Sequence, residues 1–174
     1  MELRLFIGTR VNGTHAAMIL SAAGEALANT AWRIAPATQW HVTALFIGAC
    51  DEGQLPAMKR HLKRISKGTP RITLNNGRLI TMPEHEPRML WVRFDPHPDL
   101  TALHMTLATA LNAEPSKHLP YLPHITLARS SKGPEPLKGT IILPSLRLDH
   151  LTLFSSQLDP AGSIHTPLAT WPLN

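Results

Sequence analysis

Residues 2–8 place Leu3, Leu5 and Ile7 on one side of an extended chain and Arg4 and Phe6 on the other, which predicts a strand. The spacing then becomes helical over 14–28, where Ala17, Ile19, Leu20, Ala23 and Leu27 share a side and Thr14 is placed to cap. Residues 40–48 form a β-rich run that Gly48 is expected to stop. Asp51 opens a second helix reaching about residue 66 on Leu55, Met58, Leu62 and Ile65. Strands are predicted at 70–75, 78–82 and 88–94, and a helix over 98–112 on Leu100, Leu103, Leu107 and Leu111. The remainder reads as β at 123–129, 139–143 and 146–157, with a short closing piece near 163–171. Asn75-Asn76-Gly77 has the composition of a hairpin turn, so the sheet is expected to be largely antiparallel. The predicted class is α+β, with helices on the outer faces of sheets.

With 174 residues, 43% of them apolar and 17% charged, the chain is long enough to bury a core and forms one domain or two joined lobes. No apolar run approaches the roughly 20 residues that span a bilayer, and residues 1–8 lack the features of a secretory signal. Cys50 is the one cysteine, which excludes an internal disulfide and points to a reducing, cytoplasmic setting. Seventeen basic against twelve acidic residues give a net charge of +5, a balance suited to anionic partners such as RNA or nucleotides. The basic stretch Lys59-Arg60-His61-Leu62-Lys63-Arg64 is read as a solvated helix face.

His-x-Thr occurs four times, at His41, His104, His124 and His150, where about one copy is expected by chance. In a strand, residues i and i+2 share a face about 6–7 Å apart, so a histidine and a hydroxyl can address one ligand. In a helix they diverge by about 200°. His104 and Thr106 fall in the helix pattern and cannot act together. Three strand copies remain, and spacing alone does not separate them. Three ligands of metal-binding type at suitable spacing are absent, so neither a metal nor another cofactor is expected.

Arg4-Leu5-Phe6-Ile7, Trp40-His41-Val42-Thr43-Ala44-Leu45-Phe46-Ile47-Gly48, Pro123-His124-Ile125-Thr126-Leu127-Ala128-Arg129 and Leu151-Thr152-Leu153-Phe154-Ser155-Ser156 run the length of the chain, which closes on Thr166-Pro167-Leu168 and Trp171-Pro172-Leu173. In these segments the chain resembles the two-histidine phosphoesterase superfamily, specifically the RNA 2′,3′-cyclic phosphodiesterases historically called 2′-5′ RNA ligases. The resemblance sets His150 aside, because the matching strand in that family carries no catalytic motif. It implies two antiparallel sheets related by a pseudo-twofold axis and lining a central cleft, helices outside, all within one domain over 1–174. Trp40 replaces a smaller apolar residue beside the first motif, a change that would narrow or reshape the cleft.

Opening a cyclic phosphate takes a base for water, an acid for the leaving ribose oxygen and donors for the non-bridging oxygens. Two imidazoles with pKa values near neutrality and two hydroxyls meet that need. The resemblance assigns His41 as proton donor and His124 as proton acceptor, with Thr43 and Thr126 holding the phosphate; the residues themselves treat the two histidines alike. It implies hydrolysis of RNA 2′,3′-cyclic phosphate ends to 2′-phosphomonoesters and reversible 2′-5′ ligation. The partner is then an RNA or nucleotide with a cyclic phosphate end; no protein partner or membrane is expected, and the chain is expected to be monomeric. Phe46 and Arg129 have the wrong parity for the cleft in an ideal strand: Phe46 reads as core or as a residue near the nucleobase, and Arg129 reaches substrate only if its strand curls. Tyr121 reads either as a stacking platform for a base or as a loop anchor. The competing functions are a nucleotide- or RNA-binding module without turnover, and an esterase for another small cyclic phosphate.

Overall fold

The computed structural model describes residues 1–137 and 139–174. Its strands are β1 (Glu2–Arg10), β2 (Arg33–Ile34), β3 (His41–Asp51), β4 (Ile72–Leu74), β5 (Gly77–Met82), β6 (Met89–Arg93), β7 (His124–Arg129), β8 (Ile142–Leu143), β9 (Leu146–Leu148), β10 (His150–Asp159) and β11 (Gly162–Pro172). Helices α1 (Gly13–Leu27), α2 (Leu55–Gly68) and α3 (Pro98–Leu111) separate them. No helix among the described residues is long and apolar enough to cross a membrane.

The main sheet runs β11-β10-β1-β3-β7-β6-β5-β8, with β2 also on β7, and all its pairings are antiparallel. It divides naturally into two halves, because β3 and β7 pair through Val42 and Ile125 alone. Beyond that rung the edge of β7 is taken by β2, so β3 and β7 diverge. Both rung residues are buried, and helices cover their side of the sheet. Helix α3 lies against β3, α2 against β10 and β11, and α1 against β8. Since α1 follows β1 yet packs on β8, the halves are interwoven along the chain.

Several local expectations are corrected. Asn12, not Thr14, caps α1, its side-chain oxygen accepting from the His15 N–H at 2.8 Å. Asn75-Asn76-Gly77 is not a hairpin: β4 pairs with β9 in a separate two-stranded sheet, while β5 pairs with β6 and β8. The left-handed Asn76 (φ 55°) instead carries the chain from the small sheet to the large one. The single strand expected over 146–157 is two, β9 and β10, in different sheets. Gly48 does not stop β3; it takes φ 83° at an irregularity, and pairing continues to Asp51. Trp40 is buried in the core at 1% exposure and does not narrow the cleft.

Candidate active site

Because Val42 faces Ile125 across an antiparallel pair, His41 lies opposite Thr126 and Thr43 opposite His124. Directly opposed residues share a face. The four side chains therefore project from the side of the sheet away from the buried Val42 and Ile125, with the two histidines on a diagonal of about 7–8 Å between backbones. That spacing leaves room for one tetrahedral anion between the rings.

Both rings are held alike. His41 Nδ1–H donates to the carbonyl of Gln39 at 2.8 Å, and His124 Nδ1–H donates to that of Leu122 at 3.1 Å. A carbonyl only accepts, so each neutral ring carries its proton on Nδ1 and offers Nε2 to the cleft. His41 packs against the rings of Phe6 (centroids 4.7 Å) and His165 (4.9 Å, edge-on). His124 stacks on Trp91 at 3.9 Å and 19°.

The two strands also share an irregularity that sequence parity could not show. In β3, Gly8 pairs with Thr43 and Ile7 with Leu45, leaving Ala44 as an extra residue. In β7, Trp91 pairs with Thr126 and Leu90 with Ala128, leaving Leu127 extra. Each bulge follows the motif threonine and reverses the parity of what comes next. Phe46 and Arg129, each five residues beyond its histidine, thereby return to the histidine face. Phe46 is 64% exposed, which overturns the core reading. Arg129 needs no curl at the strand end; the bulge turns it inward, close enough to press electrostatically on His124.

Two residues of α3 and the following loop hold the first bulge. His104 Nδ1–H donates to the Ala44 carbonyl at 2.7 Å, while its Nε2 accepts from the Ser116 N–H at 2.8 Å. Tyr121 donates its hydroxyl to the Thr43 carbonyl at 2.9 Å and stacks on His104 at 4.3 Å. At 8% exposure, with one ring face covered, Tyr121 is a loop anchor rather than a stacking platform, although its edge borders a cavity. His104 contributes no Thr106 partner, as expected, but shapes the site from behind.

The cavity, about 460 Å³, opens beside His124 and is lined mainly by apolar groups including Phe46, Met82, Trp91 and Leu122. The opposite end of the site is cationic. Arg10 donates to the His165 carbonyl at 3.0 Å and lies 5.2 Å from the Phe154 ring centre. Burial, and then His165, Arg10 and His124, outweigh the Gln39 hydrogen bond and push the His41 pKa down to about 4. Burial chiefly, with Arg129 adding to it against the Leu122 hydrogen bond, also lowers that of His124. Both rings are uncharged in the free protein at neutral pH. His165, Arg10, Trp91 and Gln39 were not singled out from sequence; a lone histidine in a closing strand carries no local signal. Among the described residues no three His, Cys, Asp or Glu side chains converge as a metal-binding group.

Residues 21–160 match the family model of the 2′-5′ RNA ligase superfamily. The chain belongs to that superfamily. An RNA 2′,3′-cyclic phosphodiesterase of Thermotoga maritima is 28% identical over 135 residues, covering 74% of this chain and 72% of the relative. Among solved structures, TT0787 of Thermus thermophilus superposes with a TM-score of 0.84 at 24% identity, covering 98% of both chains. E. coli LigT complexed with 3′-AMP gives 0.80 at 23% identity, covering 99% of both. These structures share the fold described above, two sheet halves about a central cleft.

Proposed function

We propose that this chain hydrolyses 2′,3′-cyclic phosphate ends of RNA to 2′-phosphomonoesters without a metal, and that the same site supports reversible 2′-5′ ligation. The observation that carries this reading is the Val42–Ile125 rung, which sets two His-x-Thr pairs about one point. Superfamily membership and the named activity of the Thermotoga relative support it.

In the proposed scheme His124 Nε2 takes a proton from water, whose oxygen attacks phosphorus. The P–O3′ bond breaks, and O3′ receives a proton from His41 Nε2, leaving the phosphate on O2′. Thr43 and Thr126 donate to the non-bridging oxygens, where negative charge accumulates. In ligation the 5′-hydroxyl of a second RNA replaces water as the attacking group. Its proton goes to His124, P–O5′ forms, P–O3′ breaks with a proton from His41, and phosphorus stays on O2′. Attack by O3′ with loss of the 5′-hydroxyl reverses it. His41 must be charged to act as donor, and its pKa of about 4 leaves it neutral before substrate binds. An anion lodged against so desolvated a ring raises that pKa strongly, so protonation accompanies substrate binding. The apolar cavity flanked by Phe46 and Trp91 suits the nucleobase, and Arg129 at the other end suits phosphate.

The test is product analysis with RNA ending in a 2′,3′-cyclic phosphate, in the presence of EDTA. Wild type should release a 2′-phosphomonoester, and His41→Ala and His124→Ala should each lose about 100-fold or more in rate. Tight binding without turnover would establish a binding module instead, and full activity in either variant would remove that histidine from the mechanism.

A further inference from the structure

The phosphate end of the cleft contains a feature that the reaction at the two histidines does not require. Arg33 of β2 is the direct cross-strand neighbour of Arg129 of β7. Like charges directly opposed on a sheet repel; both side chains are exposed, so water moderates the repulsion, and an anion between them would remove it. No carboxylate supplies it: the ion pairs among the described residues are His97–Asp99 and His150–Asp149, and neither involves an arginine.

The pair also has a definite position. The Leu127 bulge turns Arg129 to the face of His124 and Thr126. Arg33, on the same rung, shares that face and reaches across to the other half of the molecule, where it donates to the Pro160 carbonyl at 3.4 Å in the β10–β11 turn. The pair therefore lies along the β2–β7 edge, beyond Thr126 on β7 and against the β10–β11 turn. The paired positions of Thr126 and Arg129 are two ladder steps apart, about 6–7 Å along the strand, which is comparable to the step between consecutive phosphates of an extended RNA strand. The pseudo-twofold is broken here in a way that matches an asymmetric substrate: Phe46 at one end and Arg129 at the other.

We propose that Arg33 and Arg129 together hold the phosphodiester immediately 5′ of the reacting terminus, so that the site reads an RNA chain end rather than a free nucleoside cyclic phosphate. The proposal rests on the cyclic-phosphate reading above and assigns its substrate class. Two guanidiniums carried on one rung can clamp a phosphodiester by charge-assisted hydrogen bonds, and the contact carries no base information.

The experiment compares adenylyl-adenosine ending in a 2′,3′-cyclic phosphate with adenosine 2′,3′-cyclic phosphate, in wild type and Arg33→Gln, between about 50 and 200 mM KCl. Wild type should favour the dinucleotide by about ten- to a hundredfold in kcat/KM. Arg33→Gln should shrink that ratio to within about threefold and reduce the salt slope for the dinucleotide by about 0.7, the contribution of one lost contact to single-stranded phosphate. Arg33 is exposed, so the variant folds. Equal kcat/KM for the two substrates in wild type, or the same ratio and slope in Arg33→Gln, would overturn the proposal. If wild type cleaves neither compound, the hydrolytic reading fails separately. The same ratio measured in Kd by calorimetry then decides the arginine pair by the same criteria.

Discussion

The hydroxyl of Tyr121 donates to the carbonyl of Thr43, a backbone group between the cleft-facing threonine side chain and the bulge that exposes Phe46. Burial pushes the phenol pKa up to about 12, so the donor is protonated throughout the working range. Tyr121→Phe leaves that carbonyl buried without its partner and should destabilise the fold by about 1–3 kcal/mol. Thermal unfolding reads this directly, and an unchanged Tm would show that the bulge is held by His104 alone.

The pH dependence follows from the two histidines. Burial and nearby cations hold both imidazoles below their ordinary value, so the window in which one is charged and the other neutral is centred below pH 6.5. A bell-shaped kcat/KM profile with an acidic maximum is expected. Arg129→Gln removes one of the charges that lower His124, so its profile should move toward higher pH. A wild-type maximum above pH 7 would contradict the paired assignment.

Folding stability carries the same signature. The His41 pKa is about 4 in the folded protein, so between that value and 6.5 the unfolded chain takes up a proton that the folded chain refuses. Its contribution to stability is complete above pH 6.5 and is lost as pH falls through about 4, on the order of 3 kcal/mol in all. His41→Asn should flatten this part of the acid limb in denaturant titrations. Inorganic phosphate, which favours the charged ring, should raise Tm more at pH 5 than at pH 8.

Gly8 offers a test of the strand arrangement itself. It pairs with Thr43 at the bulge, and a Cβ there would strike the Val42 carbonyl, a backbone atom with no freedom to swing aside. Gly8→Ala should cost about 1–3 kcal/mol and lower turnover, since relief requires shifting the rung that aligns the motifs. Wild-type stability together with wild-type kcat would show that β3 has slack at this point.

The helices and most strands were legible because their burial is periodic: Met58 and Leu62 of α2, and Leu100, Leu103 and Leu107 of α3, are the buried positions their spacing predicts. That His41 shares a face with Thr43, and His124 with Thr126, was legible because i and i+2 in a strand do so whatever the partner. The same holds for His150 and Thr152, and setting that copy aside took the family resemblance. The facing of Phe46 and Arg129 was not legible, since parity survives only as far as the next bulge. The trace of the first bulge is the unbroken buried run Val42-Thr43-Ala44-Leu45, which is a burial pattern and not a residue-type pattern. Asn75-Asn76-Gly77 has the residues of a tight turn, and Asn76 is left-handed, but the chemistry of a turn does not say whether the strands it joins lie in one sheet, and the expected hairpin does not form. Arg33 was invisible for a related reason: β2 is two residues long, too short for any alternation to register.

The Val42–Ile125 rung has a mechanical consequence. It lies amid the four groups that would face the phosphate, so any rotation of one half against the other pivots through the reaction centre. Spreading the halves to admit a strand sideways would part donor from acceptor before the mouth had widened appreciably. For a chain that acts on RNA as proposed, a polymer would be received end-on, threaded along the furrow, with internal positions of a long strand shielded by the architecture.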